Sequence, residues 1–250
     1  MTGLQVFGLT TIPEVKPGDD LAVLIAEACA KEKADLQSGD VVVVTQKVVS
    51  KAEGRLVDLE TVKPSPFAED LASRWEKDPR HLEVILRETR RIVRMESGVL
   101  IVETHLGFVC ANAGVDRSNV PGDDTVSLLP VDPDASAARI RSGLIQRTGA
   151  AVAVIISDTF GRPWREGATE VAIGLAGMEP LQDYRGRYDP YGKLLRTTEV
   201  AMADQLAGAV GLVLEKLSRM PVGIVRGFPF QPGDGKARSL IRPAEKDLFR

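Results

Sequence analysis

Cysteine and histidine are scarce, with two of each in 250 residues. Cys29 and Cys110 lie far apart and form no CxxC, which excludes a disulfide framework and a thiolate metal site. His81 and His105 form no ligand pattern and read as structural or surface residues. Long apolar runs are absent too: the longest, Ala150 to Ile156, is far too short to cross a bilayer. The opening MTGLQVFGLTTIPEV lacks a basic n-region and a continuous apolar h-region, so a signal peptide is not expected. A reduced, cytoplasmic setting without a membrane partner is the expectation. Neither sign of charge dominates, with 32 basic and 35 acidic side chains giving −3 overall. That balance disfavours nucleic acid as a partner but leaves room for a small anion held by a few local cations. Phosphate-loop signatures are missing as well. GDGKARS contains Gly235-Lys236 but has Phe230 where the first glycine of a GxxxxGK[ST] loop belongs, and no GxGxxG follows a strand.

What is present is ordinary globular material, 44% hydrophobic and 27% charged, enough for one large domain or two small subdomains. QVFGL opens as a short strand. Asp19 or Asp20 can cap a helix carrying Leu21, Leu24, Ile25 and Ala28. GDVVVVTQKVV reads as a buried β-branched strand. Pro66 to Arg94 reads as helical, with Leu82, Ile85, Leu86, Thr89 and Val93 on one face and a split at Asp78-Pro79. GVLIVETHLGFVCA predicts a hairpin turning at His105-Leu106-Gly107. DPDASAARIRSGLIQRTG predicts a helix beginning at Asp134 or Ser136 and stopping at Gly149. AAVAVIISDT is the clearest strand. RTTEVAMADQLAGAVGLVLEKL is the clearest late helix, with Val200, Ala203, Ala207, Val210 and Leu214 in register. PVGIVRG closes the core, and the tail after Phe230 reads as a surface segment. Strands and helices do not alternate one for one and a hairpin is expected, so the fold class is α+β with a mixed sheet.

Asp158 and Thr159 stand at the end of the strongest strand, where a carboxylate must be exposed, hydrogen-bonded or bound to a cation. An Asp-Thr turn that caps backbone amides satisfies the spacing equally well. Asp116, in NAGVDRSN, follows a core strand in the same way, and a convergence of the two would suit magnesium or manganese. Gln46, Lys47, Ser50 and Lys51 follow another strand and suit phosphate oxygens, with a solvated loop as the plain alternative. Arg162, Arg165, Arg185 and Arg187 interleave with Trp164, Tyr184 and Tyr188, a mixture that could clamp an anion and stack a planar ring. The same stretches also read as long loops.

PEVKPGDDL, QKVVSKAEGR, ANAGVDRSN, LLPVDPDASA, VIISDTFGRPWREGATEVAIG, GRYDPYGKLL and VRG, taken in order, closely resemble the coenzyme F(420)-0:L-glutamate ligase family over nearly the whole chain. The resemblance implies an α+β ligase fold in an intertwined homodimer, without the C-terminal flavin-reductase-like domain of some relatives. It implies GTP- and divalent-metal-dependent addition of L-glutamate to the deazaflavin F(420)-0 through an acyl phosphate. The metal would be a pair of Mg2+ or Mn2+ ions, with K+ as a further candidate ion. Carried over by position, Asp116 and Asp158 are implied as catalytic metal ligands together with Thr159. Pro13, Glu14, Val15, Lys16, Gln46, Lys47, Lys51 and Asn119 are implied as nucleotide contacts. Where many relatives have a Gly-rich acidic loop this chain has LVLEKLSRMP, in which Glu215 is the candidate for a further metal ligand. Two other classes share these residues: a metal-dependent phosphohydrolase, and a nucleotide-binding protein without turnover. A homodimer is also expected from the VLIVE and GFVCA strands, whose hairpin would leave an open edge.

Overall fold

The computed structural model describes residues 3–118, 120, 122–214 and 218–248. In chain order the elements are β1 (Gln5–Gly8), α1 (Leu21–Lys31), β2 (Val41–Thr45), α2 (Gln46–Ala52), β3 (Leu56–Asp58), α3 (Pro66–Trp75) and α4 (Pro79–Arg87). There follow β4 (Thr89–Glu96), β5 (Val99–Thr104), β6 (Val109–Ala111), β7 (Thr125–Ser127), α5 (Pro133–Thr148), β8 (Ala153–Arg162) and β9 (Arg165–Ala176). The last are β10 (Leu181–Asp183), β11 (Glu199–Ala201), α6 (Met202–Gly211) and β12 (Val222–Arg226).

Among the described residues the central sheet runs β1-β12-β2-β8-β9. Only β2 and β8 pair in parallel; their neighbours are antiparallel, so the sheet is mixed and the fold is α+β as expected. The four valines of β2 are fully buried because both faces of the sheet are covered. Val42, Val44, Val154 and Ile156 pack with Ile25 of α1 and Leu144 of α5. The alternate side chains, Val41, Val43, Ala153 and Ile155, pack with Ala203, Leu206 and Val210 of α6. A further apolar cluster joins α3 and α4 to Leu100 and Val102 of β5, with β4-β5-β6 forming a separate small sheet.

Several boundaries differ from the sequence reading. The strand in GDVVVVTQKVV ends at Thr45, and the chain turns into α2, whose Val48 and Val49 pack into the core as helical neighbours. A pair of adjacent valines fits either geometry, so the pattern alone could not separate them. The helical stretch from Pro66 is split at Asp78-Pro79 as expected, but it stops at Arg87. Thr89 and Val93 lie in β4, where pairing with β5 overrides the helical spacing. The hairpin through Val99–Ala111 forms as expected. Asp20 is the α1 cap, accepting from Ala22 N at 2.9 Å.

The cap of α5 is Asp132, two residues before Asp134, and Gly149 closes that helix in the left-handed conformation as expected. Asp134 serves tertiary structure instead: its Oδ1 accepts from Leu175 N in β9 and from Ala237 N, each at 2.9 Å. Ala237 is fully buried, so the tail after Phe230 is not simply a surface segment. In the late helix Val200 belongs to β11 and Leu214 lies beyond the helix end at Gly211. The two Arg- and aromatic-rich stretches are not plain loops. One is the end of the β8-β9 hairpin; the other links β10 to β11 through a Tyr188–Leu194 bridge.

Candidate active site

The parallel pairing of β2 with β8 ends at Thr45 opposite Ser157. From there β2 turns into α2, whereas β8 continues with only β9 beside it. Asp158 is therefore the first residue of β8 past the loss of its β2 neighbour, inside a long strand rather than at its end. The carboxyl ends of adjacent parallel strands commonly open into a ligand crevice. The register with β9 shifts here: Ile156 faces Gly174 and Ser157 faces Ala172, leaving Ile173 as an extra residue. Such a bulge re-aims the side chains that follow it.

Asp116 reaches the same place from another direction. A turn with Asn112, Ala113 and Gly114 all at positive φ carries the chain out of β6. A Cβ on Gly114 would come 2.8 Å from Leu129 Cγ, so glycine is required there. Asp116 is then fixed by a two-way backbone bridge to Ser127, at 3.0 and 2.9 Å. Its carboxylate receives Lys47 Nζ at 2.7 Å, Ser118 N at 2.7 Å and Ser118 Oγ at 3.0 Å. The gathering of polar groups in NAGVDRSN thus has a partner, the ammonium of Lys47 on the first turn of α2.

Electrostatics set the two aspartates apart. Burial pushes Asp116 up, but the hydrogen bond from Lys47 and those from Ser118 outweigh it and hold its carboxyl below the usual carboxylate range. Asp158 is half-buried, and desolvation pushes its pKa up to about 7. The charges of Glu170 and Asp116 push in the same direction, against Thr159 N–H, which donates to Oδ1 at 2.8 Å, and the charge of Lys47. Burial followed by the Asp158 charge pushes the nearby Cys110 thiol up to about 12, so it stays protonated and is no nucleophile.

Because the folded pKa of Asp158 lies above its unfolded value, its contribution to stability is fully present below about pH 4. It is lost as pH rises through about 7. In the metal-free protein, Asp158→Asn is therefore expected to raise stability more at pH 8 than at pH 5, by at least ~1 kcal/mol. Urea unfolding at the two pH values checks this. An equal effect at both would show that the folded pKa is ordinary.

The second group of residues gathers around α2. Glu14 Oε1 pairs with Lys51 Nζ at 2.5 Å, and Gly18 N donates to Ala52 O at 2.8 Å, tying the segment after β1 to the end of this helix. Lys51 is buried; Val15 packs into the core; Gln46 is buried and accepts from Ser50 Oγ at 2.9 Å. Pro13 and Lys16 lie in the same segment, where Lys16 N donates to Asp19 Oδ2 at 2.7 Å. Lys47 and Lys51 are four residues apart on α2, so this short helix links the aspartates to the Glu14 segment. Gln46, Lys47 and Lys51 are thus helical rather than residues of a loop. Asn119 and Glu215 lie outside the described residues.

Glu170 was not anticipated. It lies opposite Thr159 in the β8-β9 register, and its carboxylate accepts from Ser157 Oγ at 2.8 Å and from Thr159 Oγ1. Glu170 and Asp116 thus both bring negative charge near Asp158, and Lys47, paired with Asp116, brings the opposing positive charge. Among the described residues no three His, Cys, Asp or Glu side chains converge on a single point. The donor chemistry nevertheless fits a hard cation: the Asp158 carboxylate is desolvated, has no cation in contact among the described residues, and carries a surplus of negative charge around it.

The aromatic-rich stretches contribute exposed rings: Trp164, Tyr188 and Tyr191 are all largely open to solvent. Arg187 stacks over Tyr184 at 5.5 Å, whereas Arg185 is engaged by Asp183 and Glu199. Among the described residues no helix is long and apolar enough to cross a membrane.

A desolvated aspartate and a cation-paired aspartate thus lie by a short helix that carries two lysines, each paired with a carboxylate. The family model F420-0:Gamma-glutamyl ligase matches residues 10–227, and the chain belongs to that family. The chain is 47% identical to the coenzyme F420:L-glutamate ligase of Methanothermobacter thermautotrophicus, with 99% of each chain covered. It is also 47% identical to the protein of the same name from Methanopyrus kandleri, with 100% of each covered. The corresponding protein of Methanocaldococcus jannaschii is 42% identical, covering 99% of this chain and 97% of its own.

Proposed function

We propose that the protein joins L-glutamate to the deazaflavin F(420)-0 through an amide bond, using GTP and divalent cations, as a cytoplasmic homodimer. Family membership supports the ligase reading. The observation that carries the chemistry is the Lys47–Asp116 pair beside the desolvated Asp158. Forming an amide from a carboxylate and an amine requires an activated acyl group. The γ-phosphoryl group of GTP passes to the terminal carboxylate of F(420)-0, giving GDP and an acyl phosphate. The glutamate amine then attacks that carbonyl, the C–O bond to phosphate breaks, and the amine proton is released.

Asp116, Asp158 and Thr159 would hold Mg2+ or Mn2+, and Glu215 is a further candidate. The cation supplies charge neutralisation when two anions must meet. The chain's own residues do the rest. Lys47 and Lys51 hold phosphate oxygens as point charges. The exposed rings of Trp164, Tyr188 and Tyr191, with their neighbouring arginines, offer faces for the planar deazaflavin. No Ser, Cys or His nucleophile takes part.

Phosphate release should rise with glutamate and stop when F(420)-0 is omitted. Release indifferent to glutamate would instead identify a phosphohydrolase, and nucleotide binding without release would identify a non-catalytic protein. Lys51→Ala is expected to weaken GTP binding about tenfold or more, since a charged hydrogen bond is worth ~1.5–3 kcal/mol. Its partner Glu14 is largely exposed, so the loss of the pair strands no buried charge. Binding of F(420)-0 should hardly change. Calorimetric titration of each ligand checks this, and equal losses for both would refute the division of subsites. Light scattering at micromolar concentration should show a dimer, and a fully active monomer would remove that part of the reading.

A further inference from the structure

The two lysines of α2 are both paired with carboxylates, but the two pairs are built differently. Asp116, the partner of Lys47, is a fixed acceptor. Its backbone is bridged to Ser127, and its carboxylate also receives Ser118 N and Ser118 Oγ. Glu14, the partner of Lys51, has no such support. It lies between β1 and α1, where residues 11–16 have no regular structure, and its side chain is 67% exposed. Among the described residues its carboxylate has one hydrogen-bond partner, Lys51 Nζ.

Lys51 shows the reverse asymmetry. Its side chain is only 10% exposed, so its ammonium has little water to replace a lost partner. Removal of the Glu14 carboxylate therefore calls for another anion in its place. The Glu14 side chain can leave by rotation alone, because the backbone around it is pinned. Ile12 and Val15 pack into the core on either side, and Gly18 N donates to Ala52 O at 2.8 Å.

We infer that Glu14 is a specificity-determining residue of the phosphate subsite. It holds the Lys51 ammonium until a phosphate takes its place, so an anion enters only if it outcompetes a carboxylate. The triphosphate of GTP spreads several negative charges over many acceptor oxygens, whereas a carboxylate offers one charge and two oxygens. Exchange of Glu14 for phosphate is therefore favourable, and exchange for another carboxylate gains nothing. Both other substrates of the proposed reaction present carboxylates, which a bare lysine would attract. The inference rests on the proposed reading, in which Lys51 holds a phosphate of GTP. It makes the Glu14 carboxylate a competitor of the nucleotide rather than a contact to it.

The test titrates GTP calorimetrically into wild type, Glu14→Gln, Lys51→Ala and the double variant. Each titration is run in acetate and in chloride at equal ionic strength. Glutamine keeps the volume and one acceptor oxygen, so the fold is retained while the charge is lost. Glu14→Gln is expected to tighten GTP binding about three- to tenfold in chloride. Acetate should weaken GTP binding to Glu14→Gln but not to wild type. The ligand-free variant should unfold at a lower temperature than wild type, with most of the difference removed by saturating GTP. These effects belong together, because only the free form carries the unpaired ammonium. Once Lys51→Ala is present, Glu14→Gln should bring little gain. Weaker or unchanged GTP binding in Glu14→Gln would overturn the inference. So would indifference to acetate, stability lost equally with and without GTP, or an equal gain in the absence of Lys51. In all these cases the phosphate subsite stands as long as Lys51→Ala alone weakens GTP binding. Undiminished binding in Lys51→Ala would overturn the subsite itself, and this inference with it.

Discussion

Asp158→Asn is expected to lower turnover at least about 100-fold while leaving the fold intact. An amide occupies nearly the same volume, so packing beneath β8 is preserved, but the charge that would face a cation is gone. Charge stabilisation of several kcal/mol by a bound cation corresponds to two or more powers of ten in rate. Asp116→Asn should act in the same direction. There the structural loss is small, because the Lys47–Asp116 pair is partly exposed at both ends, with side chains 24% and 38% accessible. Steady-state product formation together with far-ultraviolet circular dichroism separates lost chemistry from lost fold. A folded variant of either aspartate with near-normal activity would remove the cation-site assignment.

Gly174→Ala should have the largest effect on the scaffold. The added Cβ would come 2.5 Å from the carbonyl oxygen of Pro133 and 2.6 Å from its carbonyl carbon. Neither atom belongs to a flexible side chain, so the start of α5 or the strand β9 has to move. Overpacking of this kind costs ~1–3 kcal/mol, occasionally more. Movement cannot be absorbed locally, because the next residue, Leu175, is tied by its N–H to Asp134 in the same turn of α5. Gly174 also faces Ile156 at the register shift that precedes Asp158. Loss of thermal stability should therefore be accompanied by loss of activity in protein that remains folded. Thermal unfolding and activity at a temperature well below the transition measure the two; an unshifted transition would show that α5 is not seated on β9 as described.

Those two positions were not equally legible in the amino-acid order. Asp116 and Asp158 stand out because each follows a β-branched run that can only be a core strand, and a carboxylate there demands a reason. The strands β2, β8 and β12 were readable for the same cause: burial on both faces leaves continuous apolar stretches. Glu170 and Gly174 carry no such mark. Their roles depend on the pairing of β9 with β8, and on a one-residue bulge that no periodicity reveals. Asp134 was misread as a cap because capping and tertiary bonding use the same carboxylate chemistry. The short helix α2 was hidden by its valines, which fit a strand as well as a helix. Thr89 and Val93 fitted a helical face but were claimed by pairing with β5, a long-range contact that local propensity cannot weigh.

The central claim is that this site makes an amide bond between glutamate and the deazaflavin carboxylate. Incubating the protein with F(420)-0, GTP, Mn2+ and L-glutamate, and then weighing the products, tests it most directly. The account predicts a deazaflavin heavier by one or more glutamyl residues, with GDP and phosphate formed in step and no product from the Asp158→Asn protein. Unmodified F(420)-0 in the presence of all four components, with the wild-type protein folded, would contradict it.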